Sequence, residues 1–255
     1  MEKRSILTLS GVRPPTLSIL SYNIGAAVLS SESEILRMKH IAKILIQHKP
    51  DVVCLLDVSI MDFHLLKRLL SVRYILFQVF IEEKNKSGEV LLLSRETTQI
   101  VDGTQPYYYD YNQGKGRVLG VDLHFGPFDQ GIHVLFCKLD DKLENADIRA
   151  AQFEIVKQVL APLENALLVG DFNIHSIDEP VEAHIESIKL NDAWIKMGCP
   201  SDVRITRNTR IFYTENAPFV PNSLTMVGTA LLKKINSLPA RHYGLMATFQ
   251  KASKI

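Results

Sequence analysis

The sequence is poor in the features that mark secreted and membrane-spanning chains. Cysteine occurs only three times in 255 residues, at Cys54, Cys137 and Cys199, and no Cys-x-x-Cys pair is present. An odd number of widely spaced cysteines argues against a disulfide framework and favours a reducing compartment. No apolar run approaches the ~18 residues that a membrane span needs, and residues 1–12 lack the apolar segment of a signal peptide. The sequence therefore predicts an intracellular protein, nuclear or cytoplasmic, with no membrane partner.

An excess of either charge is also missing. The 29 basic and 28 acidic residues leave a formal net charge of +1, so no global field draws the chain onto nucleic acid or anionic lipid. Any contact with nucleic acid must then be made by a local group of residues. Because 46% of the residues are hydrophobic, the chain can bury a sizeable core. We expect a single domain over residues 1–255, with its core at 17–250.

Apolar periodicity alternates between strand and helix patterns along the chain, without an internal repeat. Helical spacing predicts three helices, at residues 31–48, 63–70 and 147–160. Alternating or wholly apolar runs predict strands at residues 17–21, 51–57, 74–81, 90–94, 117–125, 132–139, 166–171, 211–213, 224–227 and 243–249. So many strands with so few helices predict two stacked sheets with the helices outside.

The most informative motif lies where one of these strands ends in two polar residues. The apolar run from Ala166 to Gly170 leads directly into Asp171, and Asn173 follows two positions later. Side chains two residues apart on an extended chain share a face, and strand ends at a sheet rim are where sites are built. The pattern suits phosphate or metal chemistry, although an isolated Asp-x-Asn is more often a turn.

Further polar motifs end the other predicted strands and follow one another in a fixed order: Ser21-Tyr22-Asn23-Ile24, Asp51-Val52-Val53-Cys54-Leu55-Leu56-Asp57, Val90-Leu91-Leu92-Leu93-Ser94 and His242-Tyr243-Gly244-Leu245. The ordered set resembles the endonuclease/exonuclease/phosphatase superfamily, which includes deoxyribonuclease I and exonuclease III. Residues 210–213 and 238–245 are most similar to its 5′-tyrosyl-DNA phosphodiesterase branch. The resemblance implies an α/β four-layer sandwich, in which two stacked mixed β-sheets are flanked by helices, as in deoxyribonuclease I.

This resemblance implies hydrolysis of a phosphate ester with a divalent metal ion, Mg²⁺ or Mn²⁺, as cofactor. It makes Asp171 the base that orients and deprotonates the attacking water. It assigns Asn23 and Asn173 to contacts with the phosphate or the nucleophile, where neutral donors avoid charge repulsion. It places His242 as a donor that stabilises negative charge on the phosphate, and Asp57 as the metal ligand.

Several of these residues also have a purely structural interpretation. Asn23 could be a turn or cap residue, Asp57 could cap the helix that follows it, and His242 could be a hydrogen-bonded core histidine. The order of the motifs favours a site role for His242 and leaves the other two open. Gly88 and Glu89, just before the fourth predicted strand, show no nucleophile signature and receive no role.

Four positions depart from the family pattern. Asp57 replaces the glutamate that is the principal metal ligand, and Lys138 replaces a histidine. Thr209 stands in place of the acid that orients the family histidine, and Arg241 in place of the acid beside that histidine. The family pattern has carboxylates at positions 57, 171, 209 and 241, which gives a formal charge of −4. Here Asp57 and Asp171 are offset by Lys138 and Arg241, so the formal charge is 0 and the attraction for a divalent ion is weaker.

Three hypotheses about function remain open. In the first, the chain is a divalent-metal-dependent phosphodiesterase that acts on a DNA or RNA end, with Lys138 and Arg241 binding the phosphate. In the second, it is a catalytically impaired member that binds nucleic acid or a protein partner as a scaffold. In the third, it is a phosphatase of a small phosphorylated molecule, which a narrow, closed cleft would favour. We expect a monomer.

Overall fold

The computed structural model describes residues 16–25, 31–79, 87–114, 116–125, 128, 131–199, 208–240 and 242–252. These ranges contain five helices: α1 Ser31–His48, α2 Ile60–Leu70, α3 Ala146–Leu160, α4 Pro180–Glu186 and α5 Ala193–Lys196. They contain thirteen strands: β1 Thr16–Asn23, β2 Val52–Ser59, β3 Tyr74–Val79, β4 Ser87–Ser94, β5 Thr98–Ile100, β6 Tyr107–Asp110, β7 Arg117–Phe125, β8 Ile132–Lys138, β9 Ala166–Asp171, β10 Leu190–Asp192, β11 Thr209–Thr214, β12 Phe219–Val227 and β13 Gly244–Lys251. None of the helices in these ranges has the length and apolar character needed to cross a bilayer.

The strands form two mixed sheets. The first sheet has the order β12-β13-β1-β2-β4-β3, and the second has the order β10-β11-β9-β8-β7-β5, with β6 also paired to β7. The pairs β1–β2 and β8–β9 are parallel, and the other pairs are antiparallel. Parallel neighbours end at the same edge of a sheet. The carboxyl ends of β1 and β2 therefore lie together, as do those of β8 and β9.

Side-chain alternation along the strands divides the core into three apolar clusters. Ile19 belongs to the cluster between the two sheets. Its neighbour Leu20 points the other way, into a cluster with Leu45 of α1. On the second sheet, Leu168 packs with Phe153 of α3 in the third cluster. Three clusters separate four layers, in the order helix, sheet, sheet, helix, which confirms the predicted sandwich.

Most of the predicted elements are confirmed, and the differences concern short elements and the ends of longer ones, such as α2, which begins at Ile60 and not at residue 63. Helix α1 has the predicted bounds, whereas the strand predicted at 51–57 continues to Ser59. The strand predicted at 74–81 reaches Val79, and residues 80–81 lie outside the described ranges. Periodicity does not predict β5, β6, β10, α4 or α5, because elements of three to seven residues are too short to display a period.

Gly170 allows β9 to approach β8 closely just before the polar end of the strand. A Cβ atom at this position would lie 1.8 Å from the carbonyl oxygen of Cys137, and the backbone φ is +151°. Glycine tolerates both the contact and the dihedral angle. The resulting parallel register sets Lys138 directly beside Asp171.

Arg149 is a fully buried charge that connects α3 to the segment after β9. Its Nε donates to Glu179 Oε2 at 2.8 Å, and its Nη1 donates to the carbonyl oxygen of Lys142 at 2.5 Å. Glu179 Oε1 accepts from the backbone N–H of His175 at 2.8 Å. Burial alone would raise the pKa of Glu179, but the hydrogen bonds from Arg149 and the backbone lower it below its ordinary value. The pair fixes the chain shortly after Asp171.

We predict that Arg149→Met lowers the free energy of unfolding by about 3–5 kcal/mol, because it leaves the buried Glu179 carboxylate without its cationic partner. Urea unfolding at neutral pH measures the change. Since the pKa of Glu179 is lowered in the folded state, the contribution of this carboxylate is present above its unfolded-state pKa. That contribution is lost as the pH falls through the lowered pKa.

The double variant Arg149→Met, Glu179→Gln should recover part of the loss, because no charge is then stranded. A matched exposed pair is Lys157 with Glu154, whose side chain is 42% exposed, and Lys157→Met should cost less than about 1 kcal/mol. If Arg149→Met were as mild as Lys157→Met, the buried pair would not stabilise the fold.

Candidate active site

Polar side chains from both sheets meet at the edge where the parallel strands end. Asn23 and Asp57 come from β1 and β2 of the first sheet. Lys138, Asp171 and Thr209 come from β8, β9 and β11 of the second sheet, where both Lys138 and Thr209 are in register with Asp171. We call these five side chains the cleft residues. The structure thus brings together four residues to which the sequence assigns a site role, and Thr209, which stands in place of a family acid.

The Asp171 carboxylate is completely buried and held by two neutral donors. Its Oδ2 accepts a hydrogen bond from Asn23 Nδ2 at 2.7 Å, and its Oδ1 accepts one from Thr209 Oγ1 at 2.8 Å. Asn23 Oδ1 in turn accepts from the backbone N–H of Gly25 at 2.9 Å, which fixes the orientation of the amide. Each carboxylate oxygen keeps a further lone pair. Asp171 is therefore oriented, and it still has the capacity to accept a proton.

The side chain beside His242 belongs to Asn208. The family pattern places the residue that orients this histidine one position later, at Thr209. Asn208 Nδ2 lies 3.4 Å from His242 Nδ1, whereas Thr209 turns to Asp171. The two side chains diverge because Thr209, the first residue of β11, faces Asp171, whereas Asn208 precedes the strand. An amide N–H that donates to Nδ1 leaves Nε2 of the neutral imidazole as a donor. His242 is half-buried and can present this donor to an anion.

Asp57 lies in a β-bulge. The register of β2 with β4 runs through Leu55 opposite Val90 and resumes with Val58 opposite Gly88. The intervening residues Leu56 and Asp57 therefore lie opposite a single residue of β4, namely Glu89. Asp57 has a φ of +57°, in the left-handed region. Bulges of this kind redirect side chains beside functional sites, and this one turns Asp57 towards the second sheet.

The interpretation of Asp57 as a helix cap is wrong. Ser59 caps α2, since its side chain accepts a hydrogen bond from the backbone N–H of Asp62 at 3.1 Å. Asp57 instead lies against the chain that leaves β1. A Cβ atom at Gly25 would be 2.8 Å from Asp57 Cβ, so a larger residue there would displace the carboxylate.

Lys138 reaches across from the second sheet to Asp57. Its Nζ lies 2.5 Å from Asp57 Oδ1, and the two side chains are 21% and 28% exposed. Burial by itself would lower the pKa of the Lys138 ammonium, but the charge and hydrogen bond of Asp57 raise it above its ordinary value. Lys138 is therefore a cation at neutral pH. Its ammonium binds Asp57, the carboxylate that the family resemblance assigns as the metal ligand.

The residues that the structure describes do not fit a resident divalent ion as they are arranged. Those residues include no group of three or more histidine, cysteine, aspartate or glutamate side chains that could hold a metal. Asp57, the predicted ligand, is already neutralised by Lys138. A divalent ion requires several oxygen ligands. We therefore derive no chemical step through a metal ion in this arrangement.

The roles of all the predicted site residues stay predictions, and two of these residues take no part in the contacts given above. Asn173 is buried with a φ of +50°, and its Nδ2 donates to the carbonyl oxygen of Leu139 at 2.8 Å. This contact holds the chain after β9 and uses part of the amide that was expected to meet phosphate. Arg241, the second predicted phosphate-binding cation, lies outside the described residues.

Glu89 lies opposite Asp57 on β4, although the sequence pattern assigns it no role. It is 8% exposed, and its Oε2 has no hydrogen-bond partner among the described residues. Burial raises its pKa to about 7, and the charge of Lys138 opposes that shift. In the sequence, Glu89 stands out only as an acid next to a run of apolar strand residues. Such an acid is easily interpreted as the end of the preceding loop.

Arg37 also lies outside the motifs, although it braces two segments of the site. It is 2% exposed, and its Nη1 donates to the carbonyl oxygens of Ile24 at 2.5 Å and Pro239 at 3.0 Å. Glu34 binds the other side of the guanidinium. Arg37 thereby connects the chain after Asn23 to the chain that precedes the histidine. A buried arginine in an amphipathic helix is the signal that could have found it.

The comparisons with known proteins agree with this geometry. A profile of the Endonuclease/Exonuclease/phosphatase family matches residues 20–223. A 5′-tyrosyl-DNA phosphodiesterase of Caenorhabditis elegans is 22% identical to the chain over 268 residues, which cover 96% of this chain and 70% of that protein.

Solved structures share the fold. D. rerio TDP2 complexed with single strand DNA product has a TM-score of 0.79 and 19% identity, over 93% of this chain and 100% of that chain. The human Nocturnin catalytic domain with bound sulfate anion has a TM-score of 0.72 and 19% identity, over 94% of this chain and 95% of that chain. Since the family profile spans well over half of the sequence, the chain belongs to the endonuclease/exonuclease/phosphatase family and resembles its 5′-tyrosyl-DNA phosphodiesterase branch.

Proposed function

We propose that the chain is a phosphodiesterase that hydrolyses a phosphoester at a nucleic-acid end. The observation that carries the proposal is the Asp171 carboxylate, held on its two oxygens by Asn23 and Thr209 at 2.7 and 2.8 Å. Membership of the family supports hydrolysis of a phosphate ester. The names of the tyrosyl-DNA phosphodiesterase relative and of the TDP2 complex with single strand DNA support a nucleic-acid end as the substrate.

In the proposed reaction, a water molecule hydrogen-bonded to Asp171 attacks phosphorus. A new bond forms from the water oxygen to phosphorus, the bond from phosphorus to the leaving oxygen breaks, and a proton of the water passes to Asp171. The neutral donors Asn23 and Thr209 orient the carboxylate without placing a positive charge against it. A fixed base of this kind contributes by position as well as by basicity.

The cations and donors of the cleft would stabilise the negative charge of the phosphate. Lys138 is charged at neutral pH and belongs to the strand next to Asp171. His242 offers Nε2–H, since Asn208 lies at Nδ1. Donors that face a developing oxyanion in a partly buried site stabilise the transition state more than they would in water. We propose the same phosphate-binding role for Arg241.

We predict that Asp171→Asn lowers kcat for a 5′-phosphotyrosyl single-strand oligonucleotide by about 100-fold to 10,000-fold, because an amide cannot accept the proton. Release of tyrosine measures the rate, in EDTA and separately with Mg²⁺ or Mn²⁺. A nucleotide and an inositol phosphate, assayed in parallel, test the small-molecule phosphatase hypothesis.

Asp178→Asn is the matched control. Asp178 is exposed seven residues downstream, so the same change there should leave kcat unaltered. Equal rates in wild type and Asp171→Asn, with both proteins folded by circular dichroism, would remove Asp171 as the base. Absence of turnover in the wild-type protein under every condition would contradict the proposed function itself.

A second candidate function is binding of a phosphorylated nucleic-acid end without turnover. The contact of Lys138 with Asp57 favours it, because a lysine at the cation position supplies charge for phosphate but cannot activate water as a metal ion does. A protein partner and the oligomeric state stay predictions in either case.

We predict that Lys138→Met weakens binding of a 5′-phosphorylated single-strand oligonucleotide in EDTA and lowers the slope of log affinity against log salt by about 0.7, as expected for one lost contact to single-strand phosphate. Fluorescence anisotropy at several salt concentrations measures both quantities. Lys43→Met, at an exposed position of α1, should change neither. An unchanged slope in Lys138→Met would show that Lys138 does not contact the phosphate.

A further inference from the structure

We propose that Asp57 and Glu89 are the two carboxylates of a cation site, and that the Lys138 ammonium, bound to Asp57, takes the place of a metal ion there. The proposal concerns how the cleft is occupied and does not depend on whether the chain hydrolyses phosphoesters. Glu89 has no place among the residues that the family resemblance assigns to the site.

The β-bulge brings the two carboxylates together. Asp57 is one of the two β2 residues that lie opposite Glu89, so the acids occupy adjacent strands at one level of the first sheet. Glu89 shares the strand face of Leu91 and Leu93, which belong to the cluster between the sheets. The Glu89 side chain therefore faces the second sheet.

The cation enters the same space from the opposite sheet. Lys138 shares the face of Phe136, which also belongs to the cluster between the sheets. Its Nζ is 2.5 Å from Asp57 Oδ1. The charges of Lys138 and Asp57 both act on Glu89, in agreement with the placement of all three residues between the sheets.

Glu89 provides an independent sign that a cation belongs here. The residue is 8% exposed, and its Oε2 lacks a hydrogen-bond partner among the described residues. A buried carboxylate oxygen without a partner is costly, and such atoms commonly mark an ion or a water that belongs in the structure. The ammonium of Lys138 satisfies Asp57 and leaves this oxygen unused.

Arg117 is the other cation whose charge acts on Glu89. Its Nη2 pairs with Asp110 Oδ1 at 3.0 Å, and its guanidinium lies 4.2 Å from the ring centroid of Tyr108. Arg117 is thus held by β6, although its buried Nε has no partner among the described residues. The alternative is that Glu89 serves as the partner of Arg117. The experiment must distinguish this role from that of a ligand in the cation site.

The proposal predicts that Lys138→Met creates a site for a hard divalent cation. Two carboxylates without their ammonium present oxygen ligands of the kind that Mg²⁺ and Mn²⁺ prefer. We expect the Mn²⁺ affinity of Lys138→Met to exceed that of the wild type by at least about tenfold, because a positive charge has been removed beside the carboxylates. Isothermal titration calorimetry with Mn²⁺ alone, without substrate, measures the affinity.

The role of Glu89 is tested in the same background. Adding Glu89→Gln or Asp57→Asn to Lys138→Met should abolish the gain, whereas adding Glu186→Gln, at an exposed position of α4, should leave it intact. Electron paramagnetic resonance of bound Mn²⁺ should show a changed spectrum with Lys138→Met and the wild-type spectrum with the added Glu89→Gln.

Two results would overturn the proposal. Mn²⁺ binding by Lys138→Met that is as weak as in the wild type would show that Lys138 does not hold a cation site. Full retention of the gain after Glu89→Gln would show that Glu89 serves Arg117 and is not a ligand. If Lys138→Met fails to fold by circular dichroism, Lys138→Gln replaces it, since its amide can still donate to Asp57. Because no substrate is present, these results are independent of the Asp171→Asn assay.

Discussion

The contact between the Lys138 ammonium and the Asp57 carboxylate sets the charge balance of the cleft. The apolar cluster between the sheets draws the two sheets together and brings their polar strand ends into a partly buried space. Carboxylates from β2, β4 and β9 then lie near one another, where uncompensated negative charge is costly. In this chain, a lysine of β8 supplies the compensating charge across the gap between the sheets.

Backbone features decide whether the contact can form. Gly170 lets β9 approach the carbonyl oxygen of Cys137, which sets Lys138 beside Asp171. On the first sheet, the bulge at Asp57 redirects its carboxylate, and Gly25 leaves room for it. The polar chemistry of the cleft therefore depends in part on Gly170 and Gly25, which carry no functional group and tolerate close approach of neighbouring atoms.

The sequence predicts the layers of the fold and about half of this site. Long elements are predictable because their apolar residues repeat with a clear period, and the order of the polar strand ends predicts that Asn23 and Asp171 belong to one site. Glu89 is not predictable, since its role depends on a bulge in the neighbouring strand. The side chain beside His242 belongs to Asn208 and not to Thr209, because the Thr209 hydroxyl donates to Asp171 and the contact with the histidine is made one residue earlier, just before β11.

The two halves of the cleft have different physical requirements. Asp171 is held by neutral donors, so its orientation does not depend on which cation lies nearby. The part of the cleft at Asp57 depends on which cation lies there. An ammonium carries one charge on a flexible side chain, whereas a divalent ion carries two charges and also lowers the pKa of bound water. In the proposed hydrolysis, with Lys138 at Asp57 and no metal ion to acidify the water, Asp171 would remove its proton. The surroundings of Asp171 would then limit the rate of the proposed reaction, and the occupant of the cation site would decide whether that limit can be exceeded.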